Sequence, residues 1–334
     1  TRGVTKDTRM TRDEADVVER SLESLLAQDY PGDFRILLVD DESGDDTAAA
    51  ARALSGPRLA VLTGKPHPAG WTGKLYAVAQ GVAAAGEVDY LWLTDADIEH
   101  APDALRRLVA RSEAGGLALA SEMAKLNCES LAEKLLIPPF VLFFAMLYPF
   151  GWVNDAKSRV AAAAGGSMLV KRAALAAAGG IAAIKGEIID DCALARLMKR
   201  TGPIRLELSE RATSIRPYPH FADIRRMVAR SAYAQLGYSP FLLLGTLFGL
   251  LAMYLLPVAG LCYGGLPALG GALDWGAMIV MTQPILHFYR RSPFWGVALP
   301  LVGVLYAAFT LDSAIEHGRG RGGMWKGRAQ AAKR

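Results

Sequence analysis

The chain has 334 residues, 52% of them hydrophobic, and a formal net charge of +4. That length is more than one core usually organises, so two regions are expected. Three widely separated cysteines exclude a disulfide framework, and basic clusters without interleaved aromatic residues argue against a nucleic-acid partner.

In chain order, residues 13–28 carry Val17, Val18, Leu22, Leu25 and Leu26 at helical spacing. Tyr30 to Asp33 reads as a turn. Phe34 to Val39 is a short apolar strand ending at Asp40-Asp41, and an alanine-rich helix follows over 43–54. Leu59 to Leu62 is a second strand, and Lys74 to Ala85 a helix with Leu75, Val78, Ala79 and Val82 inward. Asp89 to Thr94 is a strand, Pro102 to Ala114 a helix and Leu117 to Ala120 a strand. Met168 to Val170 is another strand, with helices over 171–178 and 190–200. This alternation predicts an α/β architecture around a mostly parallel, doubly wound sheet.

Leu135 to Asn154 is uncharged but interrupted by Pro138, Pro139 and Pro149, so it suits an interfacial segment or a core helix rather than a straight span. Gly237 to Leu273 and Ser292 to Leu311 contain no charged residue, and Trp275 to Tyr289 is apolar but shorter. A helix crosses a bilayer core with about 20 apolar residues. Three candidate spans result, over 241–263, 268–288 and 293–312. Arg225, Arg226 and Arg230 precede them; Arg319, Arg321, Lys326, Arg328, Lys333 and Arg334 follow. Both flanks therefore belong on the cytoplasmic side of a lipid bilayer. Three spans would separate the flanks, so either one segment is re-entrant or a further N-terminal span restores parity.

The acids stand at strand ends and helix starts. Asp95-Ala96-Asp97 closes the run Tyr90 to Thr94. A strand places i and i+2 on one face, so both carboxylates are expected to share one spot in the crevice beyond the strand. Two hard oxygen donors there suit a divalent cation that also holds phosphate. Asp40 and Asp41 end the earlier strand, where a carboxylate accepts hydrogen bonds from a base or ribose. Asp45 or Ser43 suits the cap of the next helix and Asp46 its first turn. Gly70-Trp71-Thr72-Gly73-Lys74 opens a helix whose N–H groups and lysine suit phosphate, or is a plain surface loop. Glu187 to Asp191 enters a helix as a cap or as a general base for an acceptor hydroxyl.

The order Asp40-Asp41 with Ser43 and Asp45, Gly73-Lys74, Asp95-Ala96-Asp97, Gly165-Gly166-Ser167 and Asp190-Asp191 resembles family 2 glycosyltransferases. Arg12-Asp13-Glu14-Ala15, Gly70 to Lys74 and Trp325-Lys326-Gly327-Arg328 resemble, more narrowly, the membrane-attached, hopanoid-associated branch. The resemblance implies a GT-A nucleotide-sugar-binding domain over 12–230, built on a doubly wound mixed sheet. It implies C-terminal transmembrane helices within 231–316 and a basic cytoplasmic tail over 317–334. A nucleotide-sugar donor, a lipid acceptor and a divalent cation (Mg²⁺ or Mn²⁺) come with it. So does a multi-pass place in a bacterial inner membrane, with the catalytic domain cytosolic.

By the same resemblance, Asp40, Asp41 and Lys74 bind the donor, and Asp95 and Asp97 contact ribose, diphosphate and metal. Asp191 is the catalytic base, with Asp190 standing where the family has Glu. Inverting members transfer by one direct displacement. The Gln-x-x-Arg-Trp motif of processive members is missing; Met227 to Ser231 keeps only Arg230, which favours a single transfer. A polyprenyl-phosphate sugar transferase, or a catalytically impaired protein of the same fold, are the rivals. Family members open with an apolar strand. Residues 1–11 lack that pattern and are expected to stand outside the sheet as an atypical segment from a wrong start or shifted frame.

Overall fold

The computed structural model describes residues 6–11, 14–41, 43–54, 56–322, 324–325 and 328–329. They form two compact units. The first runs to Leu126 and resumes over Tyr148–Arg216; the second takes Asn127–Leu147 and the chain from Pro217 onward.

The first unit begins with β1 (Lys6–Thr11), α1 (Val18–Leu26), β2 (Arg35–Asp40), α2 (Thr47–Ala53) and β3 (Leu59–Thr63). There follow α3 (Gly73–Ala85), β4 (Tyr90–Asp95), β5 (Ile98–His100), α4 (Ala104–Gly115) and β6 (Leu119–Lys125). The chain passes through α5 (Leu131–Leu147) of the second unit and returns with α6 (Phe150–Asn154), β7 (Met168–Lys171), α7 (Arg172–Ala177), α8 (Asp190–Met198) and β8 (Ile204–Ser214).

The strands make one mixed sheet in the order β3-β2-β1-β4-β7-β6-β8-β5. β3, β2, β1 and β4 are parallel, while β7 runs antiparallel to both its neighbours. Ile36, Leu38, Tyr90 and Trp92 point to one face, two residues apart, and bury against Val18, Leu22 and Leu25 of α1 and Leu105 and Leu108 of α4. The parallel half thus aligns the carboxyl ends of β2 and β4 on one edge, where the acids lie.

Residues 6–11 correct the sequence reading. Their backbone lies inside the sheet, with Lys6 opposite Arg35 of β2 on one side and Leu91 of β4 on the other. The ladder is made by N–H and C=O groups, which every non-proline residue supplies, so an apolar pattern is not required for pairing. β5 and β8 are further strands that the sequence reading did not include.

In the second unit, α5 is one continuous helix with Pro138 and Pro139 inside it. Two proline nitrogens cannot donate there. The Tyr306 hydroxyl donates to the Leu136 carbonyl on that turn at 2.9 Å, and Pro138 and Pro139 are themselves buried. The unit continues with α9 (Phe221–Ala229), α10 (Ala232–Gln235), α11 (Pro240–Leu261), α12 (Gly265–Phe288) and α13 (Leu299–Gly318). Two stretches, Pro240–Leu261 and Pro293–Gly318, are long and apolar enough to cross a membrane. The third expected span falls on α12, which carries Asp274, Thr282 and Gln283 and does not qualify.

α11 and α12 approach through glycine. A Cβ on Gly260 would stand 2.8 Å from the Pro267 carbonyl oxygen, and one on Gly271 would overlap the Pro257 carbonyl oxygen. Backbone cannot rotate out of the way, so Gly271→Ala should lower stability by about 1–3 kcal/mol. Gly270 faces open space. Gly270→Ala should instead raise stability by about 0.5–1 kcal/mol through helix propensity. Thermal melts of the two variants in detergent check this opposition of sign.

Candidate active site

Each acid is delivered by a strand end or a helix start. Asp40 closes β2, is buried, and accepts the Ser43 N–H at 3.3 Å. Asp41 follows, also buried, and lies against the start of α3: a Cβ on Gly73 would stand 2.8 Å from its Oδ2. A carboxylate is favoured at that positive helix end. Thr72 caps α3 by accepting the Leu75 N–H at 3.2 Å, which fixes the position of Lys74 in the first turn. Asp45 takes the structural role, accepting the N–H groups of Thr47 and Ala15 at 3.0 and 3.2 Å.

Lys74 is no surface lysine. Its ammonium lies 3.1 Å from Asp95 Oδ1, at the end of β4, and 3.0 Å from Asp190 Oδ2, at the start of α8. Asp191 accepts the Gly165 N–H at 3.2 Å and the Cys192 N–H at 2.7 Å. These charges converge on Gly165. A Cβ there would lie 3.3 Å from Asp95 Oδ2, 3.6 Å from Lys74 Nζ and 3.8 Å from Asp191 Oδ2. The glycine loop is pinned in place. Trp92 Nε1 donates to Ser167 Oγ at 3.0 Å, and Thr94 Oγ1 donates to the Gly166 carbonyl at 2.7 Å. Lys74, Asp95, Gly165 and Asp190 line a small cavity, open to solvent, over Leu93 and Met168.

Burial opposes the charge on Lys74, but the carboxylates of Asp190, Asp95 and Asp191 outweigh it and raise its pKa. Burial, and then the neighbouring charge of Asp190, push Asp191 up to about 6, against the pull of Lys74. A carboxyl raised in this way holds its proton more readily than an ordinary aspartate, a property that suits proton transfer.

Asp97 departs from expectation. β4 ends at Asp95, so strand alternation does not extend to it. Its Oδ2 meets Arg216 Nε at 3.1 Å, and Arg216 also pairs with the buried Glu14. Burial and the charge of Asp95 raise the Asp97 pKa, while Arg216 lowers it. Asp95 pairs with Lys74 and Asp97 with Arg216, yet the two carboxylates lie close enough for the charge of one to raise the pKa of the other. Of the expected residues, Lys74, Asp95 and Asp190 line the cavity and Asp191 reaches Gly165 beside it; Asp40, Asp41 and Asp97 are not lining residues. Among the described residues no group of three or more His, Cys, Asp or Glu is arranged to hold a metal. The donor chemistry nevertheless suits one. Asp95, Asp190 and Asp191 against Lys74 leave two negative charges in excess, carried on hard oxygen atoms.

Sequence reasoning missed Arg216, and found Glu14 only as part of a motif. Some 202 positions separate the two, and nothing local to either announces the pair.

The family model described as Glycosyl transferase family 2 matches residues 10–175. No curated protein is significantly similar. Among solved structures, the mannosyltransferase PcManGT from Pyrobaculum calidifontis, in complex with GDP-Man and Mn²⁺, is 18% identical with a TM-score of 0.60. That alignment covers 96% of this chain and 88% of that one. Glucosyl-3-phosphoglycerate synthase from Mycobacterium tuberculosis, in complex with phosphoglyceric acid, is 19% identical with a TM-score of 0.45, over 71% and 80%. The likeness to the mannosyltransferase is one of fold. Residues 10–175 thus belong to glycosyltransferase family 2, on a GT-A α/β fold, and the protein is a glycosyltransferase.

Proposed function

We propose that the enzyme moves one sugar, with inversion, from a nucleotide diphosphate sugar to a hydroxyl of a lipid at a membrane surface. The observation that carries this reading is the convergence of Lys74, Asp95 and Asp191 on Gly165. Asp191 is the base. Held by two N–H groups, its carboxylate takes the proton of the acceptor hydroxyl as that oxygen attacks the sugar. Lys74 supplies positive charge to the donor diphosphate. Asp40 and Asp41 serve the nucleoside end, at the carboxyl edge of β2. Asp95 and Asp97 would hold the divalent cation, Mg²⁺ or Mn²⁺, whose chemistry is to neutralise charge on the leaving diphosphate. The Mn²⁺ and GDP-Man of the mannosyltransferase support this assignment.

Support for membrane attachment comes from the second unit. Phe241 and Phe248 of α11 are 86% and 76% exposed, and Phe294 is 83% exposed, an uncovered apolar surface that suits lipid. Arg225, Arg226, Arg230, Arg319 and Arg321 flank it. We place the catalytic unit on the cytosolic side of a bacterial inner membrane. A hopanoid-type acceptor follows from the motif resemblance.

A thermal-shift screen of nucleotide sugars with Mn²⁺ or Mg²⁺ tests the donor, since a ligand of the native state raises the apparent melting temperature by mass action. One nucleotide sugar is expected to do so, and its radiolabelled form to yield a glycosylated neutral lipid. No shift with any of them overturns the reading. Label found instead on a polyprenyl phosphate replaces the acceptor.

A further inference from the structure

Lys74 joins two acids to which the proposed function gives different tasks: Asp95 on the cation side and Asp190 beside the base. We propose that Lys74 is an exchangeable internal counter-cation. It ties Asp95 to Asp190 in the donor-free protein and competes with the divalent cation for Asp95, so that entry of the metal releases its ammonium toward the donor phosphates. This rests on the reading that Asp95 takes a divalent cation.

Three observations converge on it. The ammonium is in contact with Asp95 Oδ1, so a metal on that carboxylate would meet a like charge within a few ångströms, where repulsion is strong. Three carboxylates against one ammonium leave two negative charges in excess near Gly165, which would attract a second cation even with the lysine in place. Release requires no backbone movement. Thr72 fixes the first turn of α3, and the four-carbon stem alone swings, into a cavity that is already open to solvent. A permanent structural ion pair would do none of this, because it gains nothing from a metal.

The wild-type full chain in detergent gives the first test. Acylation of its lysines by an N-hydroxysuccinimide ester, read by peptide mass spectrometry, is followed with and without saturating Mg²⁺. Release frees the Lys74 amine from its two carboxylates and exposes it, so its labelling should rise at least about fivefold. Exposed Lys65 and Lys157 should be unchanged. The second test is Mn²⁺ binding without nucleotide, read by electron paramagnetic resonance. Lys74→Met should tighten it at least about tenfold, and Lys74→Arg should leave it near wild type. Labelling that stays constant or falls, or a Met variant that binds Mn²⁺ no more tightly, overturns the exchange and leaves the metal site standing. Failure of every form to bind Mn²⁺ removes the metal assignment, and the exchange with it.

Discussion

Asp191→Asn should lower sugar transfer by at least about 10³-fold while leaving nucleotide-sugar affinity within about twofold. The same change should stabilise the protein at pH 7.5. The carboxyl of Asp191 is pushed up to about 6 from 3.8, so the folded state holds its proton more tightly than the unfolded state does. Stability tied to this group is therefore present below pH 4 and is lost as pH rises toward 6; above that, the buried charge is a standing cost. An amide removes the charge but accepts only one of the two N–H groups now bound. The net gain should be on the order of 1 kcal/mol. For the wild type, kcat/KM should fall below about pH 6, and Asp190→Asn should move that limb to lower pH by removing the repelling neighbour. A profile flat from pH 5 to 8, or an Asn variant with full activity, would take the base role away from Asp191.

Arg216→Met should destabilise the protein by about 3 kcal/mol and raise KM for the donor at least about tenfold. The guanidinium joins Asp97 and Glu14, both largely buried, and its loss strands their charges together. The second change Glu14→Gln should recover part of the melting temperature, since it removes a stranded charge. It should not recover KM, because Asp97 still lacks the group that orients it. Recovery of both would make Arg216 purely structural. The segment is held twice, since the Ile215 N–H also donates to the Asp97 carbonyl at 2.8 Å.

The parts of the fold written in the sequence are those where hydrophobic period and position agree. β2, β4 and α3 appear within a residue or two of expectation because a continuous apolar run is buried on both faces or a glycine and threonine mark the start. β8 carries Ile204, Leu206 and Leu208 at period two, so its signal was present. β5 has three residues, too few to show a period. β1 gave no signal at all, since its place is set by the two strands that flank it.

The site was legible in the same uneven way. Asp95, Asp190 and Asp191 could be found because acids at the ends of apolar elements are costly unless used or paired. The glycine bracket of Lys74 suggested phosphate, yet its company of three carboxylates depends on α8 returning to β4 from almost a hundred residues away, a matter of topology. The different partners of Asp95 and Asp97 were hidden for a simpler reason. The rule that i and i+2 share a face holds only inside a strand, and this strand stops one residue after Thr94.

β1 also governs the order in which the molecule can assemble. It lies ahead of both neighbours in the chain, yet Lys6 must wait for Arg35 and then for Leu91 before its two edges are closed. During synthesis it is therefore an open edge, available to any other extended polypeptide, until the ribosome has delivered β4. Its pairing with β4 joins Lys6 to Leu91 over a long stretch of chain, and the loop-closure entropy of such a contact makes it slower to form than a local hairpin.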